Sequence, residues 1–178
     1  MEPPIIEFGP LTMRLPSVVD IPWIYAACQD PDVQRFTTVP SPYLPEHAVG
    51  WVSLAAELCA LDEEFHFVVS LTETGELLGS AGLRRDTEPG RFEIGYWVER
   101  DARGRGVATS SVRALEAFAA SALGMRETFL RIVEGNEASM AVARRCGYAP
   151  AGPDPEPCKG LPVQVFRKRL GGGQPASD

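Results

Sequence analysis

Residues 92–109 change period partway along, and that change dictates a local architecture. Phe92, Ile94, Tyr96 and Val98 alternate with Glu93, Gly95, Trp97 and Glu99, the two-residue period of a strand. From Val107 onward the apolar positions Ala108, Val112, Leu115, Ala119 and Ala122 step by three or four, the stripe of one helix face. Between the two lies the turn Arg103-Gly104-Arg105-Gly106. Its glycines let the backbone adopt unusual angles and let an anion approach without meeting a Cβ. A helix N-terminus carries unpaired N–H groups and about half a positive charge, and the two arginines add to it. The junction therefore has the makings of a pyrophosphate site. In isolation the same residues would also serve as a solvated bend, so the neighbouring segments decide between the two.

The chain has 178 residues, 44% of them hydrophobic, enough for one substantial core. No apolar run approaches the roughly 20 residues of a membrane span, and Met1-Glu2-Pro3-Pro4 lacks the basic-then-apolar layout of a signal peptide. A cytoplasmic protein with no membrane partner is expected. Cys28, Cys59, Cys146 and Cys158 are scattered with no C-x-x-C pair, which argues against a zinc site or a disulfide framework. The two histidines are His47 and His66. His66 sits in an alternating apolar run and reads as a partly buried strand residue, so chemistry built on histidine or a metal is not expected. The net charge of −7 disfavours nucleic acid as a partner and favours a cationic substrate.

Along the chain, residues 5–15 read as an opening strand and Asp20 with Pro22 as the start of a short helix to about Cys28. A further turn of helix runs to Phe36, and the three prolines of 39–45 form an irregular loop. A helix follows from about Glu46 to Leu61. Phe65, Phe67, Val69 and Leu71 alternate as a strand, Thr74-Gly75-Glu76 turns, and Leu77 to Arg84 returns. After the long helix, Gly124 is a C-cap and Thr128 to Val133 a strand. Asn136 caps a helix to about Arg145, closed by Gly147, and two strands near Tyr148 and at Val163–Arg169 flank a Pro-rich loop at 152–162. The order predicts one α+β domain with a mixed sheet over residues 1–170, followed by a disordered tail at 171–178.

Three blocks now stand together. They are the turn Arg103-Gly104-Arg105-Gly106-Val107-Ala108, the strand Glu93-Ile94-Gly95-Tyr96-Trp97-Val98 before it, and Asn136-x-x-Ser139 followed by Gly147-Tyr148. In this order they resemble the GCN5-related N-acetyltransferase (GNAT) superfamily, in particular its ribosomal-protein alanine N-acetyltransferase branch. The likeness extends over residues ~8 to ~170. It implies a mostly antiparallel central sheet of about seven strands flanked by helices, with an acyl-CoA site at a splayed strand pair. It implies acetyl-CoA as co-substrate, held at its pyrophosphate by backbone N–H groups of Arg105, Gly106, Val107, Ala108 and Thr109 beside Gly104, with the side chain of Arg103. The strand end at Trp97, Val98 and Glu99 would pair its backbone with the pantetheine amides. Asn136 would bond the pantetheine arm, cap its helix, or both, and Arg144 or Arg145 would reach the ribose phosphate. Homodimers are common in the family; the residues themselves give no oligomeric state.

The implied reaction is attack of an amine on a thioester. Freeing a lysine-like amine at pH 7 costs roughly 4–5 kcal/mol, and an N-terminal amine only about 1–1.5 kcal/mol. A carboxylate that takes the proton offsets this. Glu93, on the same strand face as Gly95 and Trp97, is the first candidate base and Glu134 the second; a solvated or salt-bridged carboxylate is the alternative for each. Many members of the superfamily protonate the thiolate from a tyrosine four residues before the closing Gly-Phe. Here that place is Ala143, so Ser139, one turn earlier on the same face, is the candidate stabiliser. Trp23, Tyr43 and Trp51 are candidate aromatics of an acceptor cleft formed by the N-terminal helices and the 39–45 and 152–162 loops, though core packing suits at least two of them. The acceptor stays open between a protein N-terminal amine and a small-molecule amine such as an antibiotic or polyamine. A catalytically idle acyl-CoA-binding module is the remaining alternative.

Overall fold

A computed structural model describes residues 4–171. Two short strands, β1 (Ile6–Phe8) and β2 (Leu11–Arg14), open the chain and pair as a hairpin across Gly9-Pro10. The opening stretch is thus two strands rather than one, and the sheet has eight strands rather than about seven. Three helices follow: α1 (Ile21–Ala27), α2 (Pro31–Phe36) and α3 (Pro45–Ala60). Each carries proline in its first turn, where a missing N–H costs nothing. The Asp30 side chain caps α2 by accepting from the N–H groups of Asp32 and Val33. Strands β3 (Glu64–Leu71), β4 (Leu77–Arg85) and β5 (Arg91–Val98) form an antiparallel meander. Helix α4 (Val107–Ser121), β6 (Glu127–Val133), α5 (Glu137–Arg145), β7 (Ala149–Pro153) and β8 (Val163–Arg169) complete the chain. The strand order is β1-β2-β3-β4-β5-β6-β8-β7. The expected disordered tail, apart from Gly171, and residues 1–3 lie outside the described residues.

Strand alternation sorts side chains onto two faces, and each face has its own helical cover. Phe65, Phe67, Leu83, Phe92 and Ile94 join Val107, Val112, Leu115 and Ala119 of α4 in the larger core. A smaller core on the opposite face joins Ile24, Val33, Ala48 and Val52 of α1–α3 to Val68. Phe67, Phe92, Leu115 and Leu130 are almost wholly excluded from solvent, each contributing about 2–3 kcal/mol through burial. These two layers hold the central strands rigidly, and the functional geometry depends on them.

Among the described residues the one parallel pairing is β5 against β6, and its register covers only Arg91–Glu93 opposite Glu127–Phe129. Beyond it each strand stays paired on its far side, β5 with β4 as far as Val98 and β6 with β8 as far as Val133. The two strands therefore separate past Glu93, and the facing backbone groups of their C-terminal halves do not pair with each other.

Candidate functional site

Two cavities meet at this separation. One, of about 630 Å³, is lined by Trp97, Val98, Arg103, Gly104, Gly106, Val107, Ala108, Thr109, Val142 and Arg145 among others. The other, of about 270 Å³, lies over the opposite sheet face and is lined by Trp51, Glu64, His66, Arg84, Glu93 and Gly95, with Thr37 and Cys158 above. Phe36, Thr37, Tyr96, Trp97, Asn136 and Ser139 line both, so they mark the passage between them.

The larger cavity ends on the N-terminus of α4. Gly106 occupies the N-cap with φ 78° and no side chain satisfies the helix amides, so the first-turn N–H groups remain available to an anion. Gly104 shares the left-handed backbone, at φ 76°. These residues fit a pyrophosphate. The neighbouring β5 edge fits an extended, amide-bearing arm, with one qualification: Arg103 Nε already donates to the Val98 carbonyl at 3.2 Å.

The arginines of the turn are paired with carboxylates. Arg103 contacts Asp30 at 3.1 Å and Asp32 at 3.2 Å, Arg100 contacts Asp30 at 3.0 Å, and Arg105 contacts Glu76 at 3.2 Å. Burial would raise the Asp30 carboxyl, but Arg100, the Asp32 and Val33 amides and Arg103 outweigh it and hold it below the usual carboxylate range. Three residues are placed otherwise than the sequence suggests. Glu99 follows the end of β5; its N–H is taken by the Leu78 carbonyl and its carboxylate by the Asp101 N–H, so it has no free donor for a ligand. Arg144 is exposed outside both cavities, and Arg145, one step round the helix, lines the larger one. Glu134 is exposed, accepts a hydrogen bond from Gln164 at 2.8 Å and borders neither cavity, because the strand turns outward before α5.

At the passage, the Tyr96 and Ser139 hydroxyls lie 2.8 Å apart. Asn136 accepts from the Ser139 N–H at 3.1 Å, so it caps α5 and fixes the serine's height on the first turn. Burial pushes the Tyr96 phenol up to about 12, partly offset by the bond to Ser139, and Tyr96 stays protonated at neutral pH. Ala143 is fully buried, so that position faces the core while Ser139 faces the passage. From the sequence Tyr96 is legible only as a strand residue. Its role depends on a contact across 43 residues that no local pattern shows.

The floor of the smaller cavity is built by register. Reading across β3, β4 and β5, the aligned rows are Glu64–Arg84–Glu93, His66–Gly82–Gly95 and Val68–Ser80–Trp97. Glu93 faces the cleft as expected, but its carboxylate is in an ion pair with Arg84. Acting as a base, it would forfeit that pair. His66, read from sequence as a strand residue, has its imidazole in the cleft with Nε2 2.9 Å from Glu64 Oε2. Trp51 lines the cleft against His66, whereas Trp23 stacks on Trp97 and Tyr43 is buried. The roof comes from the 152–162 loop and from the end of α2 with the segment just after it, of which only Val39 belongs to the expected 39–45 loop: Lys159 donates to the carbonyls of Gln34 and Val39, and Cys158 Sγ lies 3.6 Å from the Thr37 carbonyl. Among the described residues no cluster of metal-ligating side chains forms and no helix is long and apolar enough to cross a membrane.

Comparison with known proteins matches these elements. The model of the acetyltransferase (GNAT) domain matches residues 10–149. The uncharacterized N-acetyltransferase p20 of Bacillus licheniformis is 24% identical over 160 residues, 88% of this chain and 89% of its own. Among solved structures, RimL, a ribosomal L7/L12 alpha-N-protein acetyltransferase in complex with coenzyme A, aligns with a TM-score of 0.83 at 21% identity. That alignment covers 94% of this chain and 98% of the other. The microcin C7 self-immunity acetyltransferase MccE, in complex with acetyl-CoA and AMP, aligns with a TM-score of 0.79 at 15% identity over 91% and 93% of the two chains. The family match runs from β2 through α5, over nearly all the elements that build both cavities, and the chain belongs to the GNAT acetyltransferase family.

Proposed function

We propose that this chain transfers an acetyl group from acetyl-CoA to a primary amine, and that the amine is the N-terminus of a protein or peptide. The observation that carries this reading is the meeting of the two cavities at Tyr96 and Ser139. A donor lying along the uncapped α4 N-terminus and the β5 edge, with Arg103 displaced from the Val98 carbonyl, has its acyl end at that passage, and an acceptor reaches it from the other sheet face.

Acetyl-CoA supplies an activated acyl carbon with a thiolate leaving group. The chain's own groups bind and orient. The amides of Gly106 to Thr109 and, on release from its aspartates, Arg103 hold the diphosphate. The backbone of Trp97 and Val98 aligns the pantetheine arm, with Asn136 beside it. Arg145 replaces Arg144 as the basic residue nearest the ribose phosphate. Ser139, with its oxygen accepting from the buried Tyr96 phenol, directs its own proton to the departing sulfur. Glu93, anchored by Arg84, presents negative charge that draws an ammonium into the cleft. An N-terminal amine needs only a modest deprotonation cost at neutral pH. The RimL likeness supports a protein acceptor, and a small-molecule amine such as an antibiotic or polyamine is the reading to test against it.

The test is release of free CoA thiol from acetyl-CoA with a panel of amines. Peptides beginning in alanine or serine are expected to support release, and spermidine and aminoglycosides are not. Release with the small amines alone would replace the protein-terminus reading. Thermal stabilisation by acetyl-CoA with no release from any amine would point to an idle binding module.

A further inference from the structure

The cleft contains a carboxylate–imidazole pair that the family reading leaves without a task. Glu64 and His66 are neighbours on one face of β3, with Glu64 Oε2 2.9 Å from His66 Nε2. Both line the smaller cavity, and their side chains are 28% and 23% exposed. The other face of the ring meets the Trp51 indole, centroids 5.4 Å apart. The imidazole is thereby fixed at one edge by a hydrogen bond and on one side by an aromatic wall. A carboxylate bonded to Nε2 holds the proton on that nitrogen and leaves the Nδ1 lone pair as the acceptor.

Nδ1 faces the part of the floor that has no side chains. His66 is in register with Gly82, and Gly82 with Gly95. A Cβ built on Gly82 would lie 3.4 Å from His66 Nδ1, and above Gly95 there is open space. The bare floor thus runs from the imidazole edge, across two strands, to β5 and the passage at Tyr96 and Ser139. With strands about 4.8 Å apart, two strand spacings amount to about 10 Å. Nδ1 already lies over the middle strand at Gly82, so one strand spacing, ~4.8 Å, separates it from the Gly95 row, a gap that a single bridging water would span in general-base catalysis of an amine bound over Gly95.

We propose that His66, oriented by Glu64, is the catalytic base that takes the proton from the acceptor ammonium. The inference rests on the acetyltransferase reading above. An N–H bond of the ammonium breaks and an Nδ1–H bond forms, turning imidazole into imidazolium and leaving the electron pair on the amine nitrogen. That pair forms the N–C bond to the acyl carbon while the C–S bond breaks and its electrons go to sulfur. The second amine proton replaces the one that Ser139 gives to the sulfur, so that the thiol forms and the serine is restored, and the imidazolium returns its proton to solvent. Atoms and charge balance with no further reactant.

The charged groups facing the ring are Glu64 on its own strand, Arg84 on β4 and, beyond Arg84, Glu93 on β5; α3 presents the neutral Trp51. Burial lowers the His66 imidazole below its ordinary value, Glu64 pulls the other way, and Arg84 lowers it further. His66 is therefore neutral, and able to accept a proton, at pH 7. Glu93 meets the same cleft but is engaged by Arg84, which suits it to attract the cation rather than to deprotonate it.

The experiment is kcat/KM for an alanine- or serine-initiated peptide from pH 5.5 to 9 at saturating acetyl-CoA, for the wild type, His66→Gln and Glu64→Gln. The wild type should hold a plateau between an acidic limb below about pH 6.5 and the amine's own ionisation near 8. His66→Gln should track the free-amine fraction, with a deficit of about tenfold or more at pH 7 that closes towards pH 8–9. Glu64→Gln should move the acidic limb to lower pH. A His66→Gln loss that is equal at every pH, or no loss at pH 6.5, overturns the proposal. Nitrogen NMR of His66 reads the same claim without turnover: a neutral Nε2–H tautomer at pH 7 is expected, and an imidazolium or an Nδ1–H tautomer overturns it. Acetyl-CoA should stabilise His66→Gln as it does the wild type. A wild type that acetyl-CoA fails to stabilise would instead overturn the acetyltransferase reading.

Discussion

Tyr96 on β5 and Ser139 on α5 share a hydrogen bond of 2.8 Å, and both side chains line both cavities. With the phenol as donor, the serine's proton is free for the sulfur. Ser139→Ala should lower kcat by about 10- to 100-fold, the low end of acid catalysis because a thiolate leaves readily. Tyr96→Phe should lower kcat less and leave the KM for acetyl-CoA within about twofold. The double variant should be no worse than Ser139→Ala alone, since the pair acts as a unit. Steady-state kinetics on the four proteins measures the coupling directly.

Arg103 is held at 3.1 and 3.2 Å by Asp30 and Asp32, so an incoming diphosphate competes with carboxylates for it. Asp32 is exposed, and removing its charge should not disturb the core. Asp32→Asn should tighten acetyl-CoA binding by about 2- to 5-fold, the size of an exposed ion pair. Arg103→Ala should weaken it. Calorimetric titration at two salt concentrations checks both, and a weaker Asp32→Asn complex would remove the competition argument.

Two glycines of the site should fail for different reasons. At Gly106 there is space for a side chain, yet the backbone sits at φ 78°, so Gly106→Ala incurs about 1–2 kcal/mol of strain and distorts the anion site. Its Tm should fall and its acetyl-CoA thermal shift should shrink. Gly95 has open space and ordinary strand geometry. Gly95→Val should keep its Tm and its KM for acetyl-CoA but raise the acceptor KM about tenfold, or 1.4 kcal/mol, by filling the cleft floor.

Asp20 is buried and accepts from Arg14 through both carboxylate oxygens at 2.8 Å and from the Ser17 N–H at 2.7 Å. Burial acts to raise its carboxyl, but the Arg14 and Ser17 bonds outweigh it and hold it below the usual range. The depressed value means that this stabilisation is present above the unfolded carboxyl's value near 3.9 and is lost as pH falls through the lower folded value. Thermal melts should show the wild type losing more stability than Asp20→Asn between pH 5 and pH 3. At pH 7 the variant should be less stable by roughly 1–3 kcal/mol.

The elements that line the larger cavity were legible in the sequence because they are local. A strand, two glycines and a helix start are contiguous in residues 92–109, and Asn136 with Ser139 spans one helical turn. The acceptor half arises from strand register, and register has no local signal. Glu64, Arg84 and Glu93 come together only when β3, β4 and β5 pair in one alignment. His66 was correctly placed on a strand, and its alternation with Phe65 and Phe67 means that it faces away from their core. What the sequence does not show is that this other face carries a cleft. Residues 5–15 differ from the single strand that their pattern predicts for a related reason: a loose alternation is continuous through Gly9-Pro10, while the chain reverses there to pair Ile6 with Met13.

The three-pair seam between β5 and β6 leaves this sheet as two leaves, β1–β5 and β6-β8-β7. On the proposed reading, acetyl-CoA lies in the opening and its amides meet backbone left single by the fold. The substrate then completes the sheet as a further strand would. Binding and folding are then linked by mass action: the donor adds RT ln(1 + [L]/Kd) to the stability of the two leaves, so the melting temperature should climb with acetyl-CoA concentration.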